Sequence, residues 1–237
     1  MSTLKVNTIQ NTNGDTVMTL TNGHLELPAG SAAQAPIDFD GSGALVTTPI
    51  GGAIEYDGKV FYISPEASNR GVAAVEYAII LTGTNTLTSQ TGAQPIFDGG
   101  GGPAGGALTL PVGTYMFECS FSLTNLSATS GSFGFALGGT ATKTEAWNSF
   151  AQKAAAAGAT ATATTIFATA ADTDITGSTT TTTGAAYIKG VFRITVAGTI
   201  IPQVSMSVAN AAVVGANSFF ICKPLGASGF VSVGQWA

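Results

Sequence analysis

The stretch AAYIKGVFRITVAGTIIPQVSMSV, residues 185–208, decides the fold class. It is rich in Val, Ile, Thr, Tyr and Phe, the residues that suit a pleated, half-buried surface, and it is longer than one strand. VEYAIIL (75–81), ALTLPVGTYMFECSFSLTNL (107–126), GSFGFALGG (131–139), ATATTIFATA (161–170) and SFFICKPL (218–225) have the same character, each bounded by Gly, Pro or Asn. Many strands without alternating helices indicate an all-β sandwich or barrel. One segment reads two ways. Thr142 and Glu145 form a capping-box pattern ahead of AWNSFAQKAAAAG, yet the ATATATT that follows alternates as a strand does, so residues 143–157 fit either a short helix or a strand.

Ahead of this region the chain reads LKVNTIQ, NTNG, DTVMTLT, NG, HLELPAG. Asn13-Gly14 and Asn22-Gly23 favour the positive φ angles of tight hairpin turns, which predicts a three-stranded meander. A meander of that size has one apolar face and is marginal alone. Residues 28–50 are a Pro/Gly/Ala/Ser-rich connector, and TTPIGGAIEYDGKVFYIS (47–64) follows it. Asp57-Gly58 between AIEY and KVFYI is a hairpin signal, with Ile54, Tyr56, Val60 and Tyr62 as packing surface and Glu55, Asp57 and Lys59 at or beside the turn and solvated. SPEASNRG (64–71) reads as a turn-rich link, which puts the domain boundary near Gly71: an N-terminal β-rich segment over 1–70 and a larger domain over 71–237.

The 237 residues are 45% hydrophobic, enough for a core, but only 9% are charged and 31 are glycine. A typical chain has about 25% charged residues. A surface so poor in charge is weakly guarded against association and is read as surface buried in an assembly. The net charge is −5 and the eight Lys and Arg are scattered singly, so phosphates would find no converging cations and nucleic-acid binding is not expected. No signal-peptide pattern is expected, because MSTLKVNTIQ has no apolar core of the needed length, and no membrane span, because the longest uncharged stretches, such as 204–222, contain Asn and Ser and alternate. Cys119 and Cys222 lie in apolar runs and read as buried free thiols, with a disulfide left open.

The chemical motifs fare poorly. Gly100, Gly102 and Gly105 match the dinucleotide fingerprint, but a strand follows instead of a helix N-terminus, and no cofactor is expected. Asp172 and Asp174 open like a calcium loop, but Thr183 stands where a bidentate Glu is required, so no metal is expected. The carboxylate pairs Asp38/Asp40, Glu55/Asp57 and Asp172/Asp174 each adjoin a turn glycine, where Asp is expected for local hydrogen bonding. His24, the single histidine, follows a hairpin Asn-Gly, which leaves nucleophilic catalysis without a base. No catalytic residue is assigned and the chain is expected not to be an enzyme.

STLKVNTIQNTNG at the N-terminus and ALVTTPIGGAIEYDGKVFYIS at the junction closely resemble segments of fibre-like and other structural proteins of tailed bacteriophages, notably marine and cyanobacterial ones. YIKGVFRITVAGTIIPQVSMSVANAAVVGANSFFICKPLG (187–226) resembles the same group of virion proteins. Its strand order and aromatic placement are also similar to the jelly-roll heads of the tumour necrosis factor and complement globular-head superfamily. The resemblance implies a homotrimeric virion protein, a tail fibre, head fibre or capsid-decoration protein assembled in the host cytoplasm. It would attach to capsid or tail proteins through its N-terminal β-meander, as a shaft, and project a C-terminal jelly-roll β-sandwich. Tyr115, Phe117, Phe192 and Phe219 then become candidates for core or axial packing, and Tyr56 and Tyr62 for packing between subunits. An adhesive role toward a host glycan or protein is the other expectation, with Trp147 and Phe150 as contacts on an exposed end of the head. A dedicated receptor-binding module and a polysaccharide depolymerase are the alternatives.

Overall fold

The computed structural model describes residues 8–10, 16–21, 24–27, 30, 31, 35, 37–39, 45–58, 60–73, 75–98, 104–154, 162–168 and 172–226. The chain divides into two compact units, Met1–Gly43 and Ala44–Ala237, so the division falls inside the Pro/Gly-rich connector.

In the first unit β1 (Thr8–Gln10), β2 (Thr16–Thr21) and β3 (His24–Glu26) pair antiparallel in the order β1-β2-β3. This is the expected meander, with Leu20 opposite Leu25; the two Asn-Gly turns lie outside the described residues.

The second unit opens with a small sheet of β4 (Ile54–Tyr56), β5 (Phe61–Glu66) and β6 (Asn69–Val72), in the order β4-β5-β6. The hairpin turn at Asp57-Gly58 forms as read, with Gly58 at φ 84°, a conformation that glycine adopts without a Cβ penalty. The structure departs from the sequence reading at SPEASNRG, which is a second hairpin rather than a link. Its turn is made by Ser68 at φ 65°, and Asn69 to Val72 pair back onto β5.

The remaining strands are β7 (Tyr77–Ile80), β8 (Asn85–Thr86), β9 (Gln94–Pro95), β10 (Leu108–Leu110), β11 (Gly113–Thr124), β12 (Phe133–Gly138) and β13 (Thr142–Ala154). They continue with β14 (Thr162–Ala168), β15 (Thr173–Asp174), β16 (Thr183–Val196), β17 (Gly198–Met206), β18 (Val213–Val214) and β19 (Phe219–Gly226). An eight-stranded antiparallel sheet runs β14-β13-β16-β11, and beyond β11 it forks into β19-β7 and β18-β8. A five-stranded antiparallel sheet runs β10-β17-β12-β15, with β9 also on β17. Residues 185–208 supply most of β16 and all of β17, one to each sheet.

The two sheets face one another across an aromatic core. Phe117 of the larger sheet stacks on Phe135 of the smaller at 6.3 Å, Phe121 meets Phe133 edge-on at 6.1 Å, and Trp147 meets Phe135 edge-on at 5.3 Å. Alternation along each strand produces this: Tyr115, Phe117, Cys119, Phe121 and Leu123 of β11 are all buried, as period-two geometry demands. The ambiguous segment 143–157 is strand as far as it is described. Trp147, Ser149, Ala151 and Lys153 are buried while Asn148 and Phe150 are exposed, and thirteen residues pair with β16. That long ladder overrides the helix preference of its alanines. Gly190 makes the pairing possible, because a Cβ there would lie 2.4 Å from that of Trp147.

Candidate assembly surfaces

The small sheet has two unlike faces. On one, Arg70 donates from Nε to Glu55 Oε2 at 2.9 Å and from Nη2 to Glu55 Oε1 at 3.1 Å and to the Val46 carbonyl at 2.7 Å. Glu55 also accepts the Val46 amide at 2.8 Å, so the pair straps the connector to the sheet. Arg70 lies 5.9 Å from the Tyr62 ring centroid, and the Tyr62 hydroxyl donates to Asp57 Oδ2 at 3.1 Å. Burial, reinforced by that carboxylate, pushes the phenol up to about 12. Asp57 Oδ1 meanwhile accepts the Val60 amide at 2.7 Å and closes the turn. Glu55 and Asp57 are therefore half-buried and bonded rather than solvated, and they hold structure rather than face a substrate gap. The other face is apolar: Ile54 sits directly across from Ile63, both exposed, and the Tyr56 ring stacks on Phe61 at 4.5 Å.

The Asp172/Asp174 pair is equally occupied, and Asp38 is exposed. Asp172 accepts the Ser205 hydroxyl, and Asp174 accepts the Ser132 hydroxyl at 3.0 Å, so the would-be calcium loop ties itself to β17 and the start of β12. Asp40 lies outside the described residues. Among the described residues, no three or more His, Cys, Asp or Glu side chains are grouped to hold a metal ion, and no helix is long and apolar enough to cross a membrane.

The outward face of the eight-stranded sheet is the larger surface. Register aligns Phe150 of β13, Tyr187 of β16, Ser120 of β11, Phe219 of β19 and Ile80 of β7 in one transverse row. Phe150 is 53%, Tyr187 40% and Ile80 59% exposed, and Phe219 is half-buried. Two residues along, Glu118 accepts the Tyr187 hydroxyl at 2.8 Å and pairs with Lys189 at 3.1 Å. The tyrosine's hydrogen bond, then the lysine's, holds the Glu118 carboxyl below its ordinary range, and the same bond raises the Tyr187 phenol. Large apolar side chains in a row on an exposed face make this a candidate interaction surface.

No known protein-family model matches this chain, and no curated protein matches it.

The sequence candidates separate by face. Tyr115, Phe117 and Phe192 are buried between the sheets, with Tyr115 stacked on Phe192 at 5.3 Å. Phe219 is on the outward face, Tyr56 on the open apolar face of the small sheet, and Tyr62 buried on its opposite face. Trp147 and Phe150, three residues apart in one strand, point to opposite sides: Trp147 is 1% exposed in the core, and Phe150 lies outside with Tyr187. Cys119 and Cys222 are free thiols, raised by burial, Cys222 to about 12. Sequence reasoning missed Lys153, which is buried and donates to the carbonyls of Gly131 at 2.5 Å and Thr179 at 3.0 Å. Its one signal was a lysine in phase with Trp147 and Ala151.

Proposed function

We propose that the chain is a non-enzymatic structural protein of a tailed-bacteriophage virion, a homotrimeric fibre or capsid-decoration protein. Its N-terminal segment, through about residue 70, attaches to other virion proteins, and the region after it forms a projecting jelly-roll head. The observation that carries this reading is the transverse row Phe150, Tyr187, Phe219 and Ile80, an apolar outer face on a chain with only 9% charged residues. Two antiparallel sheets around one aromatic core are what a jelly roll requires, and a threefold arrangement covers the row without leaving an open, polymerising contact. The Ile54, Ile63, Tyr56 and Phe61 face gives each subunit a second apolar patch, in keeping with the different surfaces that a ring contact joins.

Multi-angle light scattering at micromolar concentration tests the reading. Three chain masses are expected, with Phe219→Ser and Tyr187→Ser dissociating more readily than the parent; a monomer at every concentration would remove the proposal. A second reading, a host-glycan binding module, is favoured by Phe150 and Tyr187 alone, two exposed aromatics paired across strands that could stack on sugar rings. Saturable binding of labelled protein to host cells, lost in Phe150→Ser without loss of the assembly mass, would establish it over the purely structural one.

A further inference from the structure

The apolar outer row does not stop at the edge of the sheet. Its last strand, β7, pairs only with β19 among the described residues, so the other side of Tyr77–Ile80 is a free edge. Natural edges carry Lys, Pro or a bulge as guards. This one has none of them within the strand, its register with β19 is unbroken, and the nearest charge is Glu76. Against this edge lies a pocket of about 180 Å³ lined by Tyr77, Ala78 and Ile79 of β7, Gly106, Ala107 and Leu108 at β10, and Phe220 of β19. It is the mouth between the two sheets on the side where β7 and β10 end them. Outward Ile80, the hydrogen-bonding edge backbone and the apolar pocket therefore adjoin one another around the corner of the sheet.

Area argues that this corner belongs to the contact. From β13 to β7 the outward row covers four inter-strand steps, about 19 Å, and the outward positions from Phe150 to Ala146 cover about 13 Å along the strand. That is roughly 250 Å² in plan, against the ~800 Å² that each partner contributes to a stable interface. The apolar part of the face, interrupted by Asn148, Lys189 and Glu118, is too small to hold subunits together, and the pocketed edge adjoins it.

We propose that a second copy of this chain covers the β7 edge and fills the pocket beside it with an apolar side chain. The inference rests on the homotrimer reading and adds to it where the neighbour sits. Each subunit then offers its edge and pocket to the next, a heterologous contact that closes into a ring.

Thiol labelling of the full chain tests it, because Cys119 and Cys222 are buried and leave an introduced cysteine as the reactive one. Ala107→Cys places a thiol in the pocket, and Ala128→Cys, on an exposed turn, is the control. Ala78→Lys adds the charge that the edge lacks. In the assembled protein Ala107→Cys is expected to react at least about tenfold more slowly than in the diluted, dissociated one, and Ala78→Lys to raise the dissociation midpoint by about tenfold, while Ala128→Cys reacts alike in both. A trimer in which Ala107→Cys reacts equally before and after dilution, with Ala78→Lys assembling normally, overturns the inference and leaves the trimer standing. A chain that is monomeric throughout removes both.

Discussion

Lys153 is a cationic side chain where the inner face of a sheet ordinarily carries an apolar one. The Gly131 and Thr179 carbonyls that receive its Nζ already accept each other's amides, at 3.1 and 3.0 Å, so the lysine closes over a bridge that stands without it. Burial holds its amine below the ordinary 10.5. The sign of the pH effect follows. Between the folded value and 10.5 the unfolded chain binds more protons than the folded one, so this group's contribution to stability rises with pH through that window and its penalty is full below it. Lys153→Met keeps the stem and removes the charge. At neutral pH its unfolding free energy is expected within about 1 kcal/mol of the parent, because the lost hydrogen bonds and the relieved desolvation oppose each other. Denaturant unfolding at increasing pH should show the parent gaining on the variant as the window is crossed; a gap that closes instead would contradict the placement. Nothing local in the sequence announces this lysine's role, since both of its acceptors are main-chain carbonyls more than twenty residues away.

At the level of elements, legibility tracked locality. The β4–β5 hairpin was readable because Asp57 and Gly58 carry the turn within themselves, and the long strands because period-two burial is written in β11 and β16. The second hairpin was not. Its turn uses Ser68 at positive φ, which composition does not advertise, and Arg70 is fixed by a carboxylate fifteen residues earlier. The two tyrosines of the first hairpin looked equivalent in the sequence, yet register sends Tyr56 to the open face against Phe61 and Tyr62 to the covered one against Arg70. Their variants should therefore part company. Tyr62→Phe deletes the hydrogen bond to Asp57 and is expected to cost about 1 kcal/mol, read by chemical denaturation, with the assembly state unchanged. Tyr56→Ser is expected to leave the fold intact and weaken assembly, read by dilution light scattering. The reverse pattern would mean that the faces are exchanged. Trp147 and Phe150 teach the same lesson, since a spacing of three puts them on opposite sides of a strand and would have put them on one side of a helix.

For the whole molecule, the scarcity of charge and the apolar outer row mean that the proposed assembly is one held by burial of carbon rather than by ion pairs. On the outward face Lys189 is paired with Glu118 and the Tyr187 hydroxyl donates to the same carboxylate, all three groups being substantially exposed, and Arg193 and Lys223 share that face. Exposed pairs of this kind contribute little and weaken with salt, whereas apolar contact strengthens when excluded salts raise the cost of wetting it. The proposed trimer's dissociation midpoint is therefore expected to change by less than about threefold between 0.05 and 0.5 M sodium chloride, although the Debye length falls roughly threefold over that range. Ammonium sulfate should tighten the assembly. The measurement is the concentration dependence of mass by sedimentation or light scattering, and Lys189→Gln supplies the control, since removing that charge should leave the midpoint nearly unmoved. A midpoint that rises steeply with sodium chloride, or that follows Lys189→Gln more than Phe219→Ser, would transfer the proposed contact from the aromatic row to the Glu118 network.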